Sequence, residues 1–188
     1  KERVKKVALV SVGNLKEGEE FRVSELIYPL LLESSNDAAV VLAEQTGVKK
    51  FVDLMNEKAA SLSLAATSFK DPSGLTPENL STAEDLFRLA RYLYKNKNYI
   101  LETTKKGEVG LWHNNSKFIY DKCFLGGKTG YTEEAGGCIL LVLRDAEGGY
   151  FISVLLGARD SESRVVEMRK IGDEIAQSDI SAAIKNNF

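Results

Sequence analysis

Two uninterrupted apolar runs limit the fold more than any other feature of the chain. Cys138-Ile139-Leu140-Leu141-Val142-Leu143 and Tyr150-Phe151-Ile152-Ser153-Val154-Leu155-Leu156 flank the turn residues Ala146-Glu147-Gly148-Gly149. Continuous apolar runs of this kind are the pattern of strands covered on both faces. Just ahead of them, residues 126–132 read Gly-Gly-Lys-Thr-Gly-Tyr-Thr. The three segments are expected to form an antiparallel meander with the glycine-rich strand outermost. A helix over 161–176, capped by Asp160 or Ser161, places Val165, Met168, Ile171 and Ile175 on one stripe and should cover one face of that sheet.

Glycines weaken a strand and are tolerated mainly where another backbone must come close. Gly126, Gly127 and Gly130 therefore suggest that Lys128 and Thr129 are presented on an open edge, to a ligand rather than to solvent. Upstream, Ser24 can cap a helix carrying Leu26, Ile27, Leu30 and Leu31, with Pro29 near enough to its start to be tolerated. Ser34 breaks this helix, and Asn36 or Asp37 can cap a second one that runs to Gly47. Ser34-Ser35-Asn36 thus sits in a helix-to-helix corner, from which short polar side chains can point into a cleft.

The remaining elements follow from periodicity. Val52, Met55, Ala59 and Leu62 make 51–62 an amphipathic helix; 67–79 is a Pro/Gly/Ser loop; and Ser81-Thr82-Ala83-Glu84 is a capping box opening a helix with Leu86, Phe87, Ala90, Leu93 and Tyr94 inward. Residues 103–117 read as polar connecting chain with Leu111 and Trp112 packed down. Residues 4–13 could form an edge strand or extended arm, and 177–188 a frayed extension. At 188 residues and 44% hydrophobic, the chain can bury one sizeable core. The expected fold is α/β (α+β), an antiparallel sheet flanked by helices with an inserted helical lobe at about 24–100, all within one domain over 1–188.

Composition removes several functions. A net charge of −2, with acidic and basic residues interspersed, provides no basic field, so nucleic acid is not an expected partner. Cys123 and Cys138 cannot define a zinc site or a disulfide framework and are expected to be free thiols, with Cys138 facing a residue near Tyr131. His113 reads as a surface residue, and neither a metal nor a cofactor is expected. No stretch resembles a signal peptide or an 18-residue apolar span, and the first residue is Lys1.

Ser-x-Asn and Lys-Thr-Gly elements occur together in penicillin-interacting serine enzymes. Here the surrounding text is Leu30-Leu31-Leu32-Glu33-Ser34-Ser35-Asn36-Asp37-Ala38-Ala39, then Asp71-Pro72-Ser73-Gly74-Leu75, then Gly127-Lys128-Thr129-Gly130-Tyr131-Thr132, with Lys128 94 positions after Ser34. From about residue 15 to about 172 this resembles the D-alanyl-D-alanine carboxypeptidases of the low-molecular-mass penicillin-binding proteins. The resemblance implies the β-lactamase/transpeptidase-like three-layer sandwich, and trimming of peptidoglycan stem peptides through an acyl-enzyme that β-lactams also form. It further implies an extracytoplasmic location, with any membrane association made through segments outside these residues.

Residue by residue, it implies that Ser34 relays a proton to the leaving amine and that Asn36 bonds the substrate's amide backbone. Lys128 would hold Ser34 and the D-alanine carboxylate, and the Thr129 hydroxyl would bond the same carboxylate. Gly130 would permit close approach, and the Tyr131 backbone N–H would supply half of an oxyanion hole. In the family a Ser-x-x-Lys element provides nucleophile and base. No serine here has a lysine three positions on; Ser161-Glu162-Ser163-Arg164 comes closest, and arginine stays protonated. The expectation is a chain truncated at its N-terminus, with a non-catalytic muropeptide-binding pseudoenzyme as the first alternative. The second is a serine β-lactamase, for which Glu78 is the nearest candidate deacylating residue.

Overall fold

The computed structural model describes residues 2–3, 15–145 and 148–177. The strand or arm expected over 4–13, Ala146 and Glu147 of the turn, and the tail beyond 177 lie outside the described residues. In chain order the elements are β1 (Glu2–Arg3), β2 (Glu20–Phe21), α1 (Ile27–Leu32), α2 (Asn36–Glu44), α3 (Val48–Ser61), α4 (Ala83–Asn96), α5 (Asn98–Thr104), β3 (Glu108–Val109), β4 (Trp112–His113), β5 (Phe124–Thr132), β6 (Gly136–Arg144), β7 (Tyr150–Ala158) and α6 (Ser163–Gln177).

The apolar runs form the sheet the sequence called for. β5, β6 and β7 pair antiparallel in that order, which puts the glycine-rich strand at an edge. β6 is covered on both faces. Ile139, Leu141 and Leu143 pack with Phe118, Phe124 and the α6 residue Met168. On the opposite face Val142, with Leu140 beside it, meets Leu125, Ala90 of α4 and Leu101 of α5. Helix, sheet and helix thus make three layers, in which each fully buried aliphatic side chain contributes about 1.5–3 kcal/mol. A further cluster of Leu26, Ala38 and Val41, with Phe21, Leu30 and Leu42 against it, packs α1 on α2. Across the hairpin Cys138 pairs with Gly130, one residue from the expected position, and both cysteines are free.

Local structure departs from the sequence reading at the caps and in one connection. Ser35, not Asn36 or Asp37, caps α2 by accepting from the Ala38 N–H at 3.2 Å. Thr82, one residue later than the capping-box pattern suggests, caps α4 by accepting from the Asp85 N–H at 3.2 Å. Residues 103–117 are not plain connecting chain. They complete α5 and form the β3–β4 hairpin, whose tip exposes Leu111 at 72% while Trp112 packs against Phe21 and Tyr28. Propensity gives little warning of a two-residue strand held by tertiary packing.

The 67–79 loop is ordered by one carboxylate. Asp71 accepts from the Ser73 hydroxyl and N–H at 2.6 Å, the Gly74 N–H at 2.8 Å, the Thr76 N–H at 2.9 Å and Asn79 Nδ2 at 2.6 Å. Partial burial acts to raise its pKa, but the bonds from Ser73, Thr76 and Gly74 outweigh it and hold the carboxyl at about 2. A folded-state pKa below the unfolded one stabilises above about pH 4, and that contribution is lost as pH falls toward 2. Asp71→Asn is therefore expected to lower the thermal unfolding midpoint at pH 7, with the gap from the parent protein closing by about pH 2, as followed by circular dichroism.

Candidate active site

The corner between α1 and α2 turns sharply at Ser34, which adopts φ 58°. A non-glycine residue in the left-handed region is held there by its surroundings. The Ser35 N–H donates to the Pro29 carbonyl at 3.0 Å, and the Glu33 carbonyl accepts from Asn115 Nδ2 at 3.3 Å. The turn aims the Ser34 side chain at β5. There the Lys128 ammonium donates to Ser34 Oγ and, at 2.7 Å, to the carbonyl of Thr129.

Burial pushes the Lys128 amine down to about 8, and the positive charge of Arg164 adds to the effect. Arg164, from the first turn of α6, donates to the Gly130 carbonyl at 2.6 Å. Its own pKa is lowered by burial, against the opposing influence of Cys138 and Glu162. Gly137 makes this approach possible, because a Cβ there would lie 2.4 Å from the Asp160 carbonyl and 3.0 Å from Arg164 Cβ. Asp160 fixes the start of the helix by accepting from the Ser163 N–H at 2.7 Å.

The glycines of β5 divide by role. A Cβ at Gly126 would stand 2.7 Å from Leu101 Cβ of α5, and one at Gly127 would stand 2.4 Å from the Leu140 carbonyl of β6. The close backbones that these two glycines admit are the protein's own. Gly130 has nothing within 4 Å of an added Cβ. The open part of the edge therefore begins at Lys128.

Peptide groups alternate along that edge. The Gly127 N–H reaches Thr104 Oγ1 at 3.0 Å and the Thr129 carbonyl accepts from Lys128, so both face away from β6. The same two-residue period carries the Tyr131 N–H to the open side. Beside it Thr129 and Arg164 line a cavity of about 180 Å³, with Asn115, Lys117 and Phe118 opposite.

Ser34, Lys128 and Thr129 are thus brought together, with Gly130 and Tyr131 following along the same edge. Asn36 begins α2 and is half-buried; among the described residues its amide makes no hydrogen bond to Lys128 or Thr129. His113 is exposed, near Glu108 at 3.6 Å. Among the described residues no cluster of His, Cys, Asp or Glu could hold a metal. Sequence reasoning missed Arg164, considered there only as a failed base, and Asn115. The Gly136-Gly137 pair opposite a basic residue at a helix start was the available signal for the first.

The chain matches the family model of D-alanyl-D-alanine carboxypeptidase over residues 2–160. It belongs to that family. The match ends just before Arg164, although α6 completes the site. Relatives include the D-alanyl-D-alanine carboxypeptidase DacF of Bacillus subtilis, 34% identical over 174 residues, covering 85% of this chain and 44% of the relative. The corresponding figures for DacD of Escherichia coli are 32% over 167 residues, 84% and 42%. The chain therefore spans less than half the length of these relatives. Among solved structures, penicillin-binding protein D2 of Listeria monocytogenes in its cefotaxime-bound form superposes with a TM-score of 0.80 at 27% identity, covering 92% of this chain and 74% of that one. The fold is accordingly that of the penicillin-binding proteins.

The contrast between the glycines is directly measurable. Gly127→Ala should cost about 1–3 kcal/mol, because the methyl meets a strand backbone. Gly130→Ala should leave stability nearly unchanged, because the methyl enters open space. Chemical denaturation of both variants checks the pair.

Proposed function

We propose that the chain forms the body of a serine-type D-Ala-D-Ala carboxypeptidase, a single transpeptidase-like domain that trims peptidoglycan stem peptides and reacts with β-lactams. The observation that carries this reading is the Lys128 ammonium shared between Ser34 Oγ and the Thr129 carbonyl, beside the Arg164 guanidinium. A substrate ending in a free carboxylate fits two adjacent positive charges and the Thr129 hydroxyl. Ser34, touching Lys128, is placed to pass a proton to the departing D-alanine amine. The Tyr131 N–H on the open edge supplies one oxyanion donor, Gly130 gives the substrate backbone room, and Asn36 bonds its amide.

In the reaction, a serine oxygen attacks the carbonyl carbon of the penultimate D-alanine and its proton goes to a base. The C–N bond breaks, the amine leaves protonated through Ser34, and water later hydrolyses the ester. No serine of the 188 residues is followed at the third position by lysine, so the proposal draws nucleophile and base from outside them. Peptidoglycan as substrate implies an extracytoplasmic location. Among the described residues no helix is long and apolar enough to cross a membrane. Glu78 is exposed in the 67–79 loop, where its N–H bonds Thr76, and nothing joins it to Ser34 or Lys128. The β-lactamase reading gains no support from it.

The deciding experiment is mass spectrometry of the protein, expressed with its natural upstream sequence, after incubation with a penicillin. One stable acyl adduct on a serine is expected, with Gly130→Ala acylating more slowly at unchanged stability. A folded protein that takes no adduct would favour the muropeptide-binding pseudoenzyme. Apparent penicillin affinity should also depend on pH. As pH rises through about 8, Lys128 loses its charge while Arg164 keeps its own, so apparent penicillin affinity should fall without vanishing.

A further inference from the structure

We propose that Asn115 is a positioning residue for Ser34. The inference rests on the reading of Ser34 as proton relay, and it concerns what keeps that hydroxyl on Lys128. A non-glycine residue at φ 58° is strained and persists only where the surrounding structure fixes it, here through the peptides on either side. At Ser34 they are fixed from different places. The peptide after Ser34 is held inside the corner, by the Ser35 N–H on the Pro29 carbonyl. The peptide before it is held from outside, by Asn115 Nδ2 on the Glu33 carbonyl at 3.3 Å.

Asn115 makes a second link to the same segment, its backbone N–H donating to the Leu32 carbonyl at 3.0 Å. Two residues earlier, the His113 N–H donates to the buried Glu33 carboxylate at 2.9 Å. The chain leaving β4 is thus stitched to the end of α1 at three points immediately before the left-handed residue. Of these, only the Asn115 amide is a side-chain donor that substitution can remove without disturbing a backbone bond.

The location of Asn115 gives that amide its consequence. The residue is exposed and lines the cavity shared with Thr129 and Arg164, so its loss opens no void in a core. It spans the gap between the corner bearing Ser34 and the wall opposite β5. Loss of the Asn115 bond on the Glu33 carbonyl would let Ser34 relax out of the left-handed region, and its Oγ would leave Lys128. Displacing a reacting group by about 1 Å typically costs about 100-fold in rate.

The test uses the protein with its natural upstream sequence and compares Asn115→Ala and Asn115→Asp with the parent, the second keeping size while removing the donor. The acylation rate constant at saturating penicillin is expected to fall about 100-fold in both with the thermal midpoint unchanged, and penicillin affinity is expected to stay unchanged in Asn115→Ala, the variant that adds no charge beside the anionic ligand. Loss of affinity at an unchanged rate constant would make Asn115 a ligand contact and overturn the proposal. A rate loss that merely tracks a lowered thermal midpoint would overturn it too. A parent protein that takes no penicillin sinks the carboxypeptidase reading alone. The crystal structure of Asn115→Asp then decides the positioning role: Ser34 displaced from Lys128 supports it, and Ser34 still left-handed on Lys128 refutes it.

Discussion

The site depends on one partly buried ammonium. Lys128 donates both to the hydroxyl of a helix corner and to the carbonyl of its own strand, and a cation drawn away from water is tolerable only when protein acceptors replace the water it loses. Hydrogen bonds accept little error in distance or angle, so this pairing demands that the α1–α2 corner and β5 be held in fixed register. Each part of the fold serves that demand. α5 grips β5 through Thr104 Oγ1 on the Gly127 N–H, and α6 grips it through Arg164 on the Gly130 carbonyl. Arg169, farther along α6, stacks on Phe118 at 4.9 Å and donates to the Lys117 carbonyl at 3.2 Å, holding the facing segment.

Electrostatically the arrangement is unfinished. The positive charge of Arg164 disfavours that of Lys128, and burial penalises both. The acceptors bonded to them are a hydroxyl and two backbone carbonyls, which satisfy donors without cancelling charge, and the Glu162 carboxylate offsets only part of the Arg164 charge. A core would not be built this way, because like charges brought out of water cost stability. Such a cost is ordinary where a site is shaped for an ion of opposite sign, and it accounts for an amine near 8 on an otherwise ordinary edge strand.

Much of this was legible from the sequence because strand period and apolar runs are local properties. The continuous run at 138–143 specified a strand buried on both faces, and β6 is one. The Ser34 corner was legible because a polar doublet interrupts a helical stripe. What escaped depends on tertiary placement. The β3–β4 hairpin is anchored by Trp112 packing on Phe21 and Tyr28, partners some eighty to ninety residues distant that no window of sequence displays. Arg164 reaches the site only because Gly137, on a different element, has no side chain in its path. Asn115 reads as one polar residue among several, since what distinguishes it is the carbonyl it meets across the fold.

The glycines of β5 show why even a correct local reading can mislead about cause. Their density suggested a strand approached by a ligand, yet Gly126 and Gly127 are required by Leu101 and Leu140. Glycine at these two positions lets α5 and β6 press against the strand from two sides, which fixes where Lys128 emerges. Gly130 is required by nothing in the described structure. A residue that weakens a strand, and that the fold does not need, leaves room for something outside the fold to come close. The first two glycines therefore set the lysine's position, and the third leaves the edge beyond it accessible.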